Sequence, residues 1–125
     1  MKVTGLAFLG IRTMQYDAMV RLFRDTMGLD VARQVPHHAA FRLSDGTPVE
    51  VYDPSDDFHA FFGSGPVVGF RVEDFDEARA HLRAAGVALI GPVQHAQGTS
   101  WNHFRGPDGN VYEIMGPGGL GGTGS

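Results

Sequence analysis

Two glutamates interrupt otherwise apolar strand-like stretches, Glu50 in "PVEVYDP" and Glu113 in "NVYEIM". An ionised carboxylate among Val, Tyr, Ile and Met is costly unless a cation, a donor or a ligand meets it. Three readings stay open. The pair holds a hard ion such as magnesium or calcium, weakly and with much water. It accepts hydrogen bonds from arginines or a ligand. Or each glutamate is partly solvated and does no chemistry. The six histidines are the available nitrogen donors, because there is no cysteine and therefore no thiolate nucleophile or sulfur site. His103, in "SWNHFRG", lies on the strand expected to pair with that of Glu113. In one register it shares Glu113's face; a slip of one residue sends it to the other. Trp101, the one tryptophan, either stacks on a planar ligand or fills core. His37 and His38 read as a solvent-exposed turn, His81 as helix surface, and His95 as a loop residue.

The elements that must position these residues come from hydrophobic periodicity. "GLAFLGIRT" is a buried strand. In "MQYDAMVRLFRDTMGL", Tyr16, Met19, Val20, Phe23 and Met27 fall at helical spacing, and Gly28 stops the helix. "DVARQV", "HHAAFRLSD" and "PVEVYDP" are short strands, the last two joined at Asp45-Gly46. The order then repeats. "PVVGFRV" is a strand, and "EDFDEARAHLRAAGV" a helix with Asp74 and Glu77 as a capping box and Phe75, Ala78, Leu82 and Ala85 as its buried stripe. "VALIGPV", "SWNHFRG" and "NVYEIM" are strands again. "GIRT" and "GFRV" lie 59 residues apart, Glu50 and Glu113 63 apart, so the halves form an internal repeat of two βαβββ units. The expected organisation is α+β: a first module at 1–54, a linker at 55–65, a second module at 66–117 and a flexible glycine-rich tail at 118–125. Phe58, Phe61 and Phe62 in the linker read as an exposed patch.

Composition narrows the function. The net charge of −4, without a basic cluster, argues against nucleic acid. No apolar run approaches the roughly 20 residues that span a bilayer, and the N-terminus reads as a strand rather than a signal peptide. A cytoplasmic protein is expected.

"FLGIRTMQYDAMVRLFRDTMGL" resembles the opening strand and helix of the vicinal oxygen chelate superfamily, which contains glyoxalase I, extradiol dioxygenases, fosfomycin-resistance enzymes and bleomycin-resistance proteins. "FRGPDGNVYEIM" resembles its closing hairpin, with Gly106 in place of the usual first aspartate. The resemblance runs from about Val3 to Met115. It implies two tandem modules forming a curved mixed sheet around a cavity. It also implies a metal held by the first and last strands of both modules. The last-strand positions match Glu50 and Glu113. The first-strand positions, usually histidine, fall on Phe8 and Val67, which cannot ligate. The resemblance therefore implies no metal and no cofactor. It implies a binding protein of the bleomycin-resistance type, enclosing an apolar or aromatic, antibiotic-like ligand in the inter-module cavity. Its lining would include Phe8, Glu50, Val67, Trp101, His103 and Glu113. A metal-dependent lyase, isomerase or dioxygenase with atypical ligands is the alternative, and a metal-free lyase or isomerase using Glu50 or Glu113 as a base is a third. Asn102, His103 and Arg105 are the nearest candidate donors to Glu113. Members of the family commonly dimerise by pairing modules between chains, so a homodimer is expected.

Overall fold

A computed structural model of the chain describes residues 1–63 and 65–119. The remainder of the glycine-rich stretch at 118–125, from position 120 on, lies outside the described residues. The chain divides into two compact units, Phe8–Val67 and Met1–Ala7 with Val68–Ser125. This is a different partition from the repeat, and the first strand explains it. Strand β1 (Val3–Arg12) pairs through its later residues with β4, in the register Gly10 to Glu50. Its first residues bond instead to the second unit: Thr4 Oγ1 donates to the Arg71 carbonyl at 3.3 Å, and Glu73 N–H to the Lys2 carbonyl at 3.1 Å.

In the Phe8–Val67 unit, β1 is followed by α1 (Tyr16–Arg21), a π-helical turn at Leu22–Thr26, β2 (Asp30–Val35), β3 (His38–Arg42), β4 (Pro48–Tyr52) and a 3₁₀ turn at Ala60–Phe62. The strands order β2-β3-β4-β1, with β1 parallel to β4 and the other pairs antiparallel. Alternation sends Val49, Val51, Ala39 and Phe41 to the helix, where they form a core with Tyr16, Val20 and Phe23, flanked by Leu9 and Ile11. Helix α1 has no side-chain N-cap, and Gly28, at φ 70°, ends the helical run as its glycine type predicts.

The second unit holds β5 (Val67–Val72) from its second residue on, α2 (Phe75–Ala84), β6 (Ala88–Ala96), β7 (Thr99–Arg105) and β8 (Val111–Pro117). Its strands order β5-β8-β7-β6, again with one parallel pair, β5 with β8. Asp74 caps α2 by accepting from Glu77 N–H at 3.1 Å. Val72, Phe75, Ala78 and Ile114 make the core, with Leu82 and Phe104 packed against it. Ala85, expected in the buried stripe, is exposed because it lies beyond the last helical residue. Gly118 and Gly119 are tied down: Ser100 Oγ donates to the Gly118 carbonyl at 2.6 Å, and Gly119 N–H donates to Asp76 Oδ2 at 2.9 Å. The fold is α+β, as the repeat predicts. No described helix is long and apolar enough to cross a membrane.

Candidate functional site

Both strand glutamates point away from their unit's helix, and both meet an imidazole. In the first unit, Glu50 Oε1 is 2.7 Å from His38 Nε2 and accepts from the Tyr52 hydroxyl at 3.0 Å. His38 and Tyr52 face each other across β3 and β4, two positions along from Glu50, so they reach it diagonally on one face. The Tyr52 ring is stacked on both sides, by His38 at 5.0 Å and by His59 at 3.8 Å between centroids. His59 Nδ1 in turn lies 2.9 Å from Asp56 Oδ2. Burial acts to raise the Asp56 pKa, but the hydrogen bonds from the His59 ring and backbone and the nearby imidazoles outweigh it, and the net shift is downward.

This cluster departs from two expectations. His38 is not a solvent-exposed turn residue; β3 starts with it, and alternation turns it toward Glu50. The linker phenylalanines do not form a common exposed patch. Phe58 is 67% exposed, but Phe62 is buried edge-on against Phe8 at 6.3 Å and Tyr52 at 5.8 Å. Phe8 itself is buried, with its ring over Gly10, the register partner of Glu50; a Cβ at Gly10 would collide with that ring. Arg12 serves the linker, donating to the carbonyls of Pro54 and Asp56 rather than to a carboxylate. Val67 is fully buried.

In the second unit the register is settled by the turn at Gly106–Gly109, closed by Gly106 N–H to the Asn110 carbonyl and Gly109 N–H to the Gly106 carbonyl. It places His103 directly opposite Glu113, and Trp101 opposite Met115 on the same face. His103 Nε2 is 3.2 Å from Glu113 Oε1. Glu113 is only 3% exposed, and its Oε2 is buried without a hydrogen-bond partner among the described residues. Of the three candidate donors, His103 alone serves. Asn102 points to the helix side, where it accepts from Arg79 Nε, and Arg105 donates to the Gly109 carbonyl in the turn. His95 bonds Ser100 through Nδ1 at 2.7 Å.

The chemistry of this donor set is that of an acceptor site. A buried carboxylate oxygen with both lone pairs open is costly until a donor arrives, and the imidazole beside it fixes its orientation. The family's metal fits the set poorly. A tight transition-metal site takes three or four protein ligands in fixed geometry. Among the described residues no group of three or more His, Asp or Glu side chains is placed to hold an ion, and Phe8 and Val67 carry no ligating atom.

No protein of curated function matches the sequence significantly. Among solved structures, the chain is similar to methylmalonyl-CoA epimerase from Mycobacterium tuberculosis, with 21% identity over 97% of this chain and 93% of that one and a TM-score of 0.68. It is also similar to a glyoxalase/bleomycin resistance protein/dioxygenase superfamily member from Vibrio splendidus 12B01, with 16% identity over 92% and 99% and a TM-score of 0.65. A Mn(II)-bound glyoxalase from Novosphingobium aromaticivorans gives 20% identity and a TM-score of 0.73, over 92% of this chain but 39% of that one. At these identities the likeness is one of fold. The family model of the glyoxalase/bleomycin resistance protein/dioxygenase superfamily matches residues 5–114, and the chain belongs to that superfamily.

Proposed function

We propose that the protein binds a small apolar or aromatic molecule without a metal, in the manner of the bleomycin-resistance branch, and that the ligand presents a hydrogen-bond donor to Glu113. The observation that carries this reading is the open, buried Oε2 of Glu113. A ligand N–H or O–H there recovers a desolvation cost of about 1–3 kcal/mol. Trp101, on the same strand face, supplies a ring for stacking at low entropic cost. The free edges of β2 and β6 favour a homodimer, in the cytoplasm. The test is titration of the full chain with planar aromatic compounds, glycopeptide and polyketide antibiotics included, followed by tryptophan fluorescence and thermal shift. Quenching that Glu113→Gln weakens about ten-fold supports the reading. A broad panel without quenching or thermal shift overturns it. Sedimentation equilibrium giving a monomer at micromolar concentration removes the dimer.

A second reading is favoured by the His103–Glu113 pair itself. A carboxylate oriented by an imidazole can take a proton from an acidic carbon, and the methylmalonyl-CoA epimerase similar in fold makes an epimerase or isomerase the class to test. Deuterium incorporation into a carbon-acid substrate, lost in Glu113→Gln, would move the protein from binder to enzyme. Stoichiometric manganese, zinc, nickel or iron in chelator-free protein, lost on Glu50→Ala or Glu113→Ala, would instead support a metal-dependent enzyme.

A further inference from the structure

On the opposite side of the second unit's sheet lies a cavity of about 450 Å³, lined by Arg79, Arg83, Gly86, Val87, Leu89 and Gly91. Its two charges are both guanidinium, one turn apart on α2. Neither has an ion pair with a described carboxylate, and no acid lines the cavity. The acids of α2 are engaged at its other end. Asp74 caps the helix, Asp76 accepts from Gly119 N–H, and Glu77 lies 3.5 Å from the N-terminal ammonium.

Arg79 is not a loose surface cation. Its Nε donates to Asn102 Oδ1 at 3.1 Å, and Asn102 is fully buried. The Asn102 amide donates to the carbonyls of Ile90 and Gly91 at 3.1 and 3.3 Å. Those carbonyls sit where β6 shifts register between Ile90 and Gln94, a bulge that Gly91 permits at φ 68°. Asn102 thus spends its amide on the bulge and its oxygen on one edge of the guanidinium. Arg79 lines the cavity, and among the described residues its two Nη groups make no hydrogen bond. The ordinary role of arginines here, meeting the carbonyl end of a helix, is already filled. Ala85, Val87 and Gly86 N–H donate to the carbonyls of His81, Leu82 and Arg83 at 3.0 Å each.

We propose that this cavity binds a small oxoanion-bearing molecule, a phosphate or carboxylate compound, by bidentate contact with Arg79 and charge from Arg83. A planar fork held on one edge is suited to two parallel N–H···O bonds, and the volume is within the range of small-molecule sites. The proposal is independent of the role given to Glu113.

The test is titration of the full chain with inorganic phosphate, pyrophosphate and succinate at constant ionic strength, read by NMR shifts of the Arg79 Nε–H and the Gly86 and Val87 amides. Succinate and the phosphates separate the two ligand chemistries. Saturable shifts with either are expected, and Arg83→Gln, an exposed substitution, should weaken them about ten-fold. Arg79→Lys, which keeps the charge but loses the fork, should weaken them as much. The proposal falls if none of the three anions gives saturable shifts. It also falls if chloride at equal ionic strength reproduces them. An Arg79→Lys variant that is less stable but binds as before would show that Arg79 only braces Asn102, and would equally overturn it.

Discussion

The two repeats carry a glutamate at the same strand position and use it in opposite ways. Glu50 has its Oε1 claimed twice, by His38 and Tyr52, while Glu113 has one imidazole and an open buried oxygen. The difference comes from three neighbours. At the repeat spacing of Glu50 and Glu113, His38 becomes Trp101, Tyr52 becomes Met115, and Ala40, opposite Glu50, becomes His103, opposite Glu113. Two diagonal donors are exchanged for one direct imidazole and for Trp101 and Met115, neither of which meets the open oxygen of Glu113. A duplicated module thus turns one copy of the carboxylate inward on its own network and leaves the other waiting for a donor. The cores differ in the same sense. Phe41 is fully buried against Phe23, whereas its counterpart Phe104 is half-buried, stacked on Tyr112 beside a surface cleft shared with Phe70.

The largest expected effect tests that contrast in packing. Phe41→Ala should cost about 3–5 kcal/mol, the transfer term plus a cavity. Phe104→Ala should cost about half as much, because water already reaches one side of its ring. Denaturant midpoints with unchanged slopes would measure both. Equal losses would mean that the two modules are packed alike.

The repeat, the succession of strands and helix in each half and most of the helix-facing residues were legible because periods of two and near four dominate each segment; the order of strands across the sheet was not. The Asp74 cap was legible because its acceptor and Glu77 are three residues apart. The site was only half legible. Glu50 and Glu113 stood out as charges inside apolar strands, but their partners depend on register. His37-His38 is a pair in which either residue can begin the strand, and a slip of one reverses the reading. Trp101 and His103 had the same ambiguity. Counting back from Glu113 across the Gly106–Gly109 turn would have resolved it, since that turn fixes the pairing. His59 had no signal at all: it sits outside the strands, and only tertiary packing brings its ring onto Tyr52. The bulge that aims Asn102 at Ile90 and Gly91 was hinted at by Gly91 alone, a residue equally at home in a plain turn.

The carboxylates themselves give the next effect, and here the two modules should differ in sign. Glu50→Gln replaces an acceptor of two hydrogen bonds and should destabilise by about 1 kcal/mol. Glu113→Met removes the buried carboxylate with its unmet oxygen and should stabilise by about the same amount while weakening ligand binding. Thermal unfolding of both variants, without ligand, would show it. Destabilisation of both to the same extent would erase the distinction between a satisfied and an open carboxylate.

The helix starts sharpen the comparison at a smaller scale. Helix α2 is capped by Asp74, whereas α1 begins at Gln15 without a side-chain cap. Asp74→Ala should cost about 1 kcal/mol and Gln15→Ala close to nothing. Chemical denaturation of the two variants checks this, and a comparable loss in Gln15→Ala would reveal a role for that side chain that its geometry does not suggest.

The smallest effect concerns acid. Asp56 and Asp108, one in each unit, are both held below the ordinary carboxylate range. Asp108 owes its shift first to the Tyr112 hydroxyl and then to the Asn110 backbone, in an exposed turn. For Asp56, burial acts upward and is outweighed by the hydrogen bonds from His59. A depressed carboxylate pKa adds stability that is complete above the unfolded value. That stability is lost as pH falls through the folded one, so both groups act on the acid limb below about pH 4. Only Asp56 is sheltered enough to matter there, because solvent screens the exposed turn. Asp56→Asn should therefore lower stability at pH 7 by somewhat under about 1 kcal/mol and flatten the loss between about pH 4 and pH 2. Asp108→Asn should leave that limb nearly unchanged. Urea midpoints measured across this range would decide between them. A flattened limb in Asp108→Asn with none in Asp56→Asn would place the acid-sensitive contact in the second module rather than in the His59–Tyr52–His38 stack.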